Sequence, residues 1–236
     1  MIAHFPLYIS VFFGLTTLMT LFLFYSAVKN AKLKSAASKS NLILLVLSLW
    51  LIVQAVLTLN NVYNTETNSL PPKIAIFGVL PAILVVLLTF MSHAGRRFVD
   101  GLPILILTWI NIVRVPVEIT LYWLLLYKMV PELMTFTGRN FDILAGITAP
   151  FVAYYGIAKR KLGRTALLLW NLVCLLLLIN IVVHAFLSAP SPLQKLAFEQ
   201  PNIAILYFPI SWLPTFIVPI ILFGHLVSIR RLINNV

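Results

Sequence analysis

Seven long apolar runs, separated by short polar connections, limit the folds open to this chain. A helix needs about 20 predominantly apolar residues to cross the hydrocarbon core of a bilayer. In lipid the backbone polar groups must be satisfied internally, so we expect each run to be α-helical. We number the predicted spans 1 to 7, near residues 7–28, 42–60, 74–91, 102–127, 141–158, 165–188 and 203–227.

Composition argues against a soluble protein. The 236 residues are 61% hydrophobic and 10% charged, whereas a soluble domain carries about 25% charged residues. The sequence therefore predicts an all-α integral membrane protein with one seven-helix domain over residues 1–236. No Lys or Arg precedes the first run and basic residues follow it, so we expect it to be retained rather than cleaved as a signal peptide.

The basic residues indicate the orientation in the membrane. Twelve lie after spans 1, 3, 5 and 7, against three on the opposite side. Positive residues mark cytoplasmic loops, so we predict a plasma (bacterial inner) membrane protein with its N-terminus outside and its C-terminus in the cytoplasm. The net charge of +11 then meets anionic lipid headgroups rather than nucleic acid. The twelve are Lys29, Lys32, Lys34, Lys39, Arg96, Arg97, Lys159, Arg160, Lys161, Arg164, Arg230 and Arg231.

A weak internal repeat relates residues 1–101 to residues 133–236, with span 102–127 inverting the chain between them. Pro72-Lys73-Ile74-Ala75-Ile76 matches Pro201-Asn202-Ile203-Ala204-Ile205, and a Leu-Pro pair follows each. Two parallel triplets around one inverting helix would form a pseudo-symmetric 3+1+3 bundle, a plan found in transporters. Chance similarity between apolar segments is the alternative.

This 3+1+3 layout resembles, in topology, the sugar-carrying SWEET and PQ-loop transporters and more distantly the rhodopsins. The resemblance implies a transporter plan but transfers no residues, because no Pro-Gln dipeptide ends a predicted span. Span 7 (203–227) contains no Lys, so a retinal Schiff base has no attachment point there.

Charged residues inside the predicted spans mark the candidate site. Arg114 and Glu118 are spaced i, i+4 and project from one face of span 4. A charge at the membrane centre costs about 2.5–3.5 kcal/mol on insertion scales, so these residues should face partners inside the bundle. Pro116 between them should kink the helix and free a carbonyl. Asn111 lies about one turn earlier and joins the set.

The start of span 5 offers partners for these charges. Arg139, Asn140 and Asp142 lie there, with Asp142 near a helix N-terminus that favours negative charge. Because spans 4 and 5 are consecutive, we expect antiparallel packing that joins the charges in one neutral cluster. The cluster would be a substrate or proton site, and a structural ion-pair lock is the alternative.

Two further polar features are weaker. Asn180 and His184 share a face of span 6 and form a possible secondary polar site, or serve only as interhelical hydrogen-bonding groups. Pro209, Pro214 and Pro219 fall in span 7. Together with Pro116 they are candidate hinges, with a static kink as the alternative.

No catalytic or metal site is predicted. The GxSxG, P-loop and dinucleotide motifs are absent, as is an HExxH spacing for zinc. We therefore expect a protein that is not an enzyme and has no cofactor. The one cofactor considered is haem b, held by His93 and His225. The simpler interpretation is that these histidines lie at the membrane interface and bind no haem.

The expected function is binding and translocation of a small solute or ion at the polar site on spans 4 and 5, with proton coupling left open. Two alternatives remain: a non-catalytic receptor-like or scaffold subunit, and a haem-binding electron carrier. The expected partners are the lipid bilayer, a small solute, and another copy of the chain or a membrane subunit, but no nucleic acid.

Overall fold

The computed structural model describes residues 6–234. The chain is 74% helical and no strand occurs in the described part, which confirms the all-α prediction. The described residues form ten α-helices: α1 Leu7–Lys29, α2 Lys34–Ala37, α3 Ser40–Leu59, α4 Leu80–Met91, α5 His93–Gly101, α6 Ile104–Ile110, α7 Arg114–Leu126, α8 Asp142–Phe151, α9 Arg164–Ser188 and α10 Val218–Asn234.

Irregular helical segments interrupt or extend several of these helices. The 3-10 segment Asn111–Val113 joins α6 to α7, and two others occur at Glu132–Met134 and Ala204–Leu206. Three π-helical segments adjoin α4, α8 and α10, namely Ala75–Val79, Val152–Ala158 and Leu213–Ile217. Such segments are often found at functional sites.

Five helical stretches are long and apolar enough to cross a membrane, as expected of a multi-pass helical bundle. A sixth is added if Ala75–Met91 and His93–Gly101, which are bent by 93° relative to each other, count as one span. The stretch Asp142–Ala158 is a shorter apolar helix. The five stretches are Leu7–Lys29, Lys34–Leu59, Ile104–Leu126, Arg164–Ser188 and Leu213–Asn234.

The chain runs back and forth between two ends of the bundle. At one end, Arg230 Nε donates to Asp100 Oδ1 over 2.8 Å and Lys32 N donates to Gly101 O over 2.9 Å. We call this the basic end, because it carries the basic residues that follow α1, α4 and the π-helical segment after α8. At the other end, which we call the loop end, Ala204 N donates to Met129 O over 3.0 Å.

The centre of the bundle is formed by α6, α7 and α10. Within the most apolar 18 residues of Ile104–Leu126 and of Leu213–Asn234, 56% and 67% of the residues are buried, against 17% within Lys34–Leu59. The many exposed Leu, Val and Ile side chains of α3 therefore form an apolar outer surface, as lipid contact requires.

The last helix differs from its predicted bounds of 203–227. It begins at Leu213 and continues to Asn234, because the preceding residues form a 3-10 turn and bends around Pro209. Pro214 therefore occupies the first turn, where proline is tolerated. Only Pro219 lies where it removes a hydrogen bond from the described helix, so the prediction of three prolines within one helix was wrong.

Two π-helical segments pack against each other, and α3 supports both. A Cβ on Gly78 would lie 2.4 Å from Thr215 Cγ2, so only glycine permits this approach. Pro81 cannot donate to Phe77 O, and Gln54 Nε2 donates to that carbonyl over 3.1 Å. Pro219 likewise cannot donate to Thr215 O, and Trp50 Nε1 does so over 3.0 Å.

Candidate solute-binding site

Arg114 lies at the first residue of α7 and is 1% exposed. Its Nη1 and Nη2 atoms donate to the carbonyl of Cys174 on α9 over 3.2 and 3.3 Å. Nη2 also lies 3.3 Å from His225 Nε2 on α10. One guanidinium thus joins three helices in the middle of the bundle.

Asp142 lies at the start of α8 and faces the same guanidinium. Its Oδ1 lies 3.3 Å from Arg114 Nη1, at ion-pair distance but without hydrogen-bond geometry. Gly146 follows Asp142 by four residues, and a Cβ there would lie 2.8 Å from Val115 Cγ2. This small residue lets α8 approach α7 closely, which brings Asp142 within reach of Arg114.

Glu118 is the second buried carboxylate, with 1% of its surface exposed. Asn140 Nδ2 donates one hydrogen bond to Glu118 Oε1 and a second, of 3.0 Å, to Met134 O. Asn140 Oδ1 accepts from Asp142 N over 3.0 Å. Asn140 therefore binds the Glu118 carboxylate and the backbone of Asp142, whereas Glu118 Oε2 is buried without a hydrogen-bond partner among the described residues.

Arg139 does not join this group. Its side chain is exposed, and only its backbone carbonyl makes a described contact, as acceptor from Asn180 Nδ2 over 3.0 Å. The expected neutral cluster of four charges is therefore corrected to a group of three buried charges, which we call the charged triad: Arg114, Glu118 and Asp142. With all three ionised, the triad has a net charge of −1.

His225 belongs to the surroundings of the triad. It is fully buried, and its Nδ1 lies 3.0 Å from Asn171 Oδ1. Since the Asn171 oxygen can only accept, Nδ1 carries the proton and Nε2 is the acceptor facing Arg114. Asn171 Nδ2 donates to Leu167 O over 2.9 Å. This chain of contacts connects α7, α9 and α10.

Asn111 and Pro116 shape α7 rather than bind the triad. Asn111 is buried, and its Nδ2 donates to Leu107 O and Thr108 O, each over 3.3 Å. The irregularity expected near Pro116 appears as the 3-10 segment Asn111–Val113, which contains the carbonyl of Ile112 that a proline at 116 cannot bind.

The secondary polar pair on α9 makes no described contact with the triad. His184 Nδ1 donates to Asn180 O over 2.8 Å, and Asn180 binds the Arg139 carbonyl. Both side chains are half-buried. The contact between α9 and the loop before α8 is the kind expected of interhelical hydrogen-bonding groups.

A cavity of about 290 Å³ lies against the charged triad. All three triad residues line it, and apolar side chains form most of the remaining wall. These side chains come from α7, α9, α10 and the π-helical segment before α10, and include Val117, Leu121, Leu178, Ile181, Ile217 and Ile221.

The cavity extends to the loop end. Glu66 and Lys73 line it there and form an ion pair of 2.7 Å, with 76% and 26% of their side chains exposed. The hydrogen bond and charge of Lys73 lower the pKa of Glu66 below its usual range. Tyr63 also lines this part and donates to Gln54 Oε1, and burial raises the pKa of Tyr63 to about 12. The cavity thus has a polar mouth at the loop end and a charged base at the triad.

The two histidines proposed as haem ligands occupy different environments. His93 is exposed at the start of α5, whereas both ring nitrogens of His225 contact Arg114 and Asn171. His225 is thus a buried contact of the triad rather than an interfacial residue.

Sequence reasoning considered His225 only as a haem ligand, and it did not place Asn171 or the residues at the mouth in the site. His225 lies within the apolar run 203–227, so a polar side chain inside a predicted span was the signal that could have found it. Asn171 belongs to the same apolar run as Cys174, one turn away, and this spacing is compatible with a shared face.

Residues 71–233 match the family described as Domain of unknown function (DUF8737). Because this match covers more than half of the chain, the protein belongs to that family. Neither a curated protein sequence nor a solved structure matches the chain. The matched segment includes the whole charged triad.

Proposed function

We propose that the protein crosses the plasma membrane seven times, with its loop end outside and its basic end in the cytoplasm. The alternating helix directions and the twelve basic residues toward one end support this arrangement. The two shorter stretches, Ala75–Met91 and Asp142–Ala158, would complete the seven spans. Each contains a π-helical segment and a proline, Pro81 or Pro150.

In this arrangement the protein binds a small solute or ion and carries it across the membrane. The observation that supports this function is the cavity of about 290 Å³ that runs from the loop end to the charged triad. Ionisable residues inside a membrane usually face a bundle interior or a cavity and mark solute or proton pathways. Here three of them meet at the base of one cavity.

Translocation also requires that the cavity be closed toward the basic end while it is open toward the loop end. At the basic end Arg230 binds Asp100 through both carboxylate oxygens, over 2.8 and 3.0 Å. Arg231 donates to Leu102 O, and Arg164 donates to Ile233 O. These contacts hold α10 against its neighbours, as in a state open toward the loop end. Their release would open the cytoplasmic side.

The paired π-helical segments supply a candidate moving element. Pro81 follows Ala75–Val79 at the same spacing as Pro219 follows Leu213–Ile217. This pattern pairs Pro81 with Pro219, whereas the sequence repeat pairs Pro81 with Pro214, so it supports two similar kinked segments rather than the register of the repeat. In a 3+1+3 plan such segments would let two triplets move relative to each other around a central site.

Thermal unfolding of the purified protein in detergent tests the binding function. Amines, amino acids, sugars and carboxylates would be screened in turn. A ligand at 100 times its dissociation constant stabilises the folded state by about 2.7 kcal/mol. We expect at least one compound to stabilise the protein and its effect to disappear in Glu118→Gln.

The matched control is Glu132→Gln, which changes an exposed glutamate outside the cavity lining and should retain the response. Absence of stabilisation by every class, with equal melting of the three proteins, would overturn the proposal and favour a scaffold role. A response that survives Glu118→Gln would also overturn it.

A further inference from the structure

The charge of the triad restricts what the cavity can hold. Asp142 offsets Arg114 at 3.3 Å, and Glu118 receives only the neutral amide of Asn140. Two buried carboxylates thus face one guanidinium. Uncompensated charge in a low-dielectric interior is costly, so an occupant with one positive charge would neutralise the site.

The unpartnered atoms indicate the same occupant. Among the described residues, Glu118 Oε2 and Asp142 Oδ1 are buried acceptors that receive no hydrogen bond, although Asp142 Oδ1 is at ion-pair distance from Arg114, and both residues line the cavity. Arg114 Nε is the unpartnered donor beside them. Acceptors outnumber donors, so an N–H donor that carries a positive charge satisfies more of the site than an anion does.

The walls determine the rest of the ligand. Side chains such as Leu121, Leu178 and Ile181 line the cavity between the triad and the loop end. Apolar walls with a few convergent polar groups are typical of small-molecule sites. They favour a ligand whose body is apolar and whose polar atoms are confined to one end.

We propose that the cavity binds a small amphipathic ammonium compound, with a primary or secondary ammonium group between Glu118 and Asp142 and an apolar body against α7, α9 and α10. This inference rests on the proposed binding function. It adds the chemical class of the solute and the orientation in which that solute binds.

Calorimetric titration of the full-length protein with four matched probes tests this class. 2-Phenylethylammonium carries the required group. 2-Phenylethanol lacks the charge, 3-phenylpropanoate reverses it, and the trimethylated ammonium keeps the charge without an N–H donor. A hydrogen bond to a charged group contributes about 1.5–3 kcal/mol. The primary ammonium should therefore bind at least about ten times more tightly than each of the other three probes.

The variants Glu118→Gln and Asp142→Asn should each weaken binding of 2-phenylethylammonium by about tenfold or more, whereas Glu132→Gln should leave it unchanged. Two carboxylate variants are used so that a folding defect in one does not decide the result. Size-exclusion profiles report the folding of each.

The possible failures are distinguishable. Preferential binding of 3-phenylpropanoate, lost in Glu118→Gln, would refute the ammonium class while supporting a solute site at the triad. Equal affinity for 2-phenylethanol would show that charge is not recognised and would also refute the class. If no probe binds but a sugar or amino acid stabilises the protein in the broader screen, the ammonium class is refuted and the proposed binding function is supported. If nothing binds in either experiment, both proposals fall.

Discussion

Arg114 Nη1 lies 3.3 Å from Asp142 Oδ1, and the side chains of the two residues are 1% and 8% exposed. This buried ion pair connects α7 to α8. It also leaves Glu118 as a second carboxylate without a cation of its own. The pair therefore supports the packing of the two helices and determines the charge at the base of the cavity.

Replacement of Arg114 by alanine should destabilise the protein strongly. It leaves two buried carboxylates without a cation and removes the donors to the Cys174 carbonyl. Loss of one partner from a buried pair costs about 3–5 kcal/mol. Chemical unfolding in detergent measures the loss. Arg139→Ala, at an exposed arginine nearby, is the control, and equal stability of the two variants would contradict a structural role for Arg114.

Gly78→Ala should destabilise the contact between the two π-helical segments. The new methyl group would lie 2.4 Å from Thr215 Cγ2, and overpacking of this kind costs about 1–3 kcal/mol. Thr215→Ser removes that methyl group but keeps the hydroxyl that donates to Ser211 O, so the double variant should recover much of the melting temperature. Gly14→Ala, where nothing lies within 4 Å, should be nearly neutral.

The sequence identified most helices because an apolar run of membrane length leaves the backbone few alternatives. The bounds of α1 and α9, and those of the continuous stretch Ile104–Leu126 that contains α6 and α7, agree closely with their predicted spans. The start of α10 could not be read in this way, because residues 203–212 are as apolar as the helix that follows. Their 3-10 turn and bends are stabilised by tertiary contacts such as Ala204 N with Met129 O.

The candidate site was partly predictable for a similar reason. The spacing of Arg114 and Glu118 places both on one helix face, and the cost of a buried charge requires partners inside the bundle. The exposure of Arg139 and the participation of His225 depend on how α8 and α10 pack against α7. Gly146 permits the close contact between α8 and α7. The sequence pattern of one helix does not predict which other helix it will contact.

Trp50→Phe should destabilise the protein because it removes the donor to the Thr215 carbonyl. A buried acceptor left without a partner costs about 1–3 kcal/mol. Alanine at position 219 supplies a backbone N–H that can reach this carbonyl. The cost of Trp50→Phe should therefore be smaller in the Pro219→Ala background. A double-mutant cycle measures this coupling, and strictly additive effects would contradict it.

The ion pair at the cavity mouth should give a pH-dependent contribution to stability. Lys73 lowers the pKa of Glu66 in the folded state, so the contribution is complete above the unfolded-state pKa and is lost as the pH falls through the folded-state value. The melting difference between wild type and Glu66→Gln should be present at neutral pH and vanish in acid. High salt should reduce it at neutral pH, since the pair is exposed. A difference that grows on acidification would contradict this assignment.

The most direct test of a solute pathway to the charged triad is cysteine labelling from one side of the membrane. In a Cys174→Ser background, Ile181→Cys places a thiol in the cavity wall, whereas Leu176→Cys places one on the 65% exposed outer face of the same helix. A membrane-impermeant, positively charged methanethiosulfonate applied from outside should label position 181 but not position 176, and 2-phenylethylammonium should slow the labelling. No reaction at position 181 from outside, or reaction only from the cytoplasmic side, would contradict an outward-opening cavity that leads to Arg114, Glu118 and Asp142.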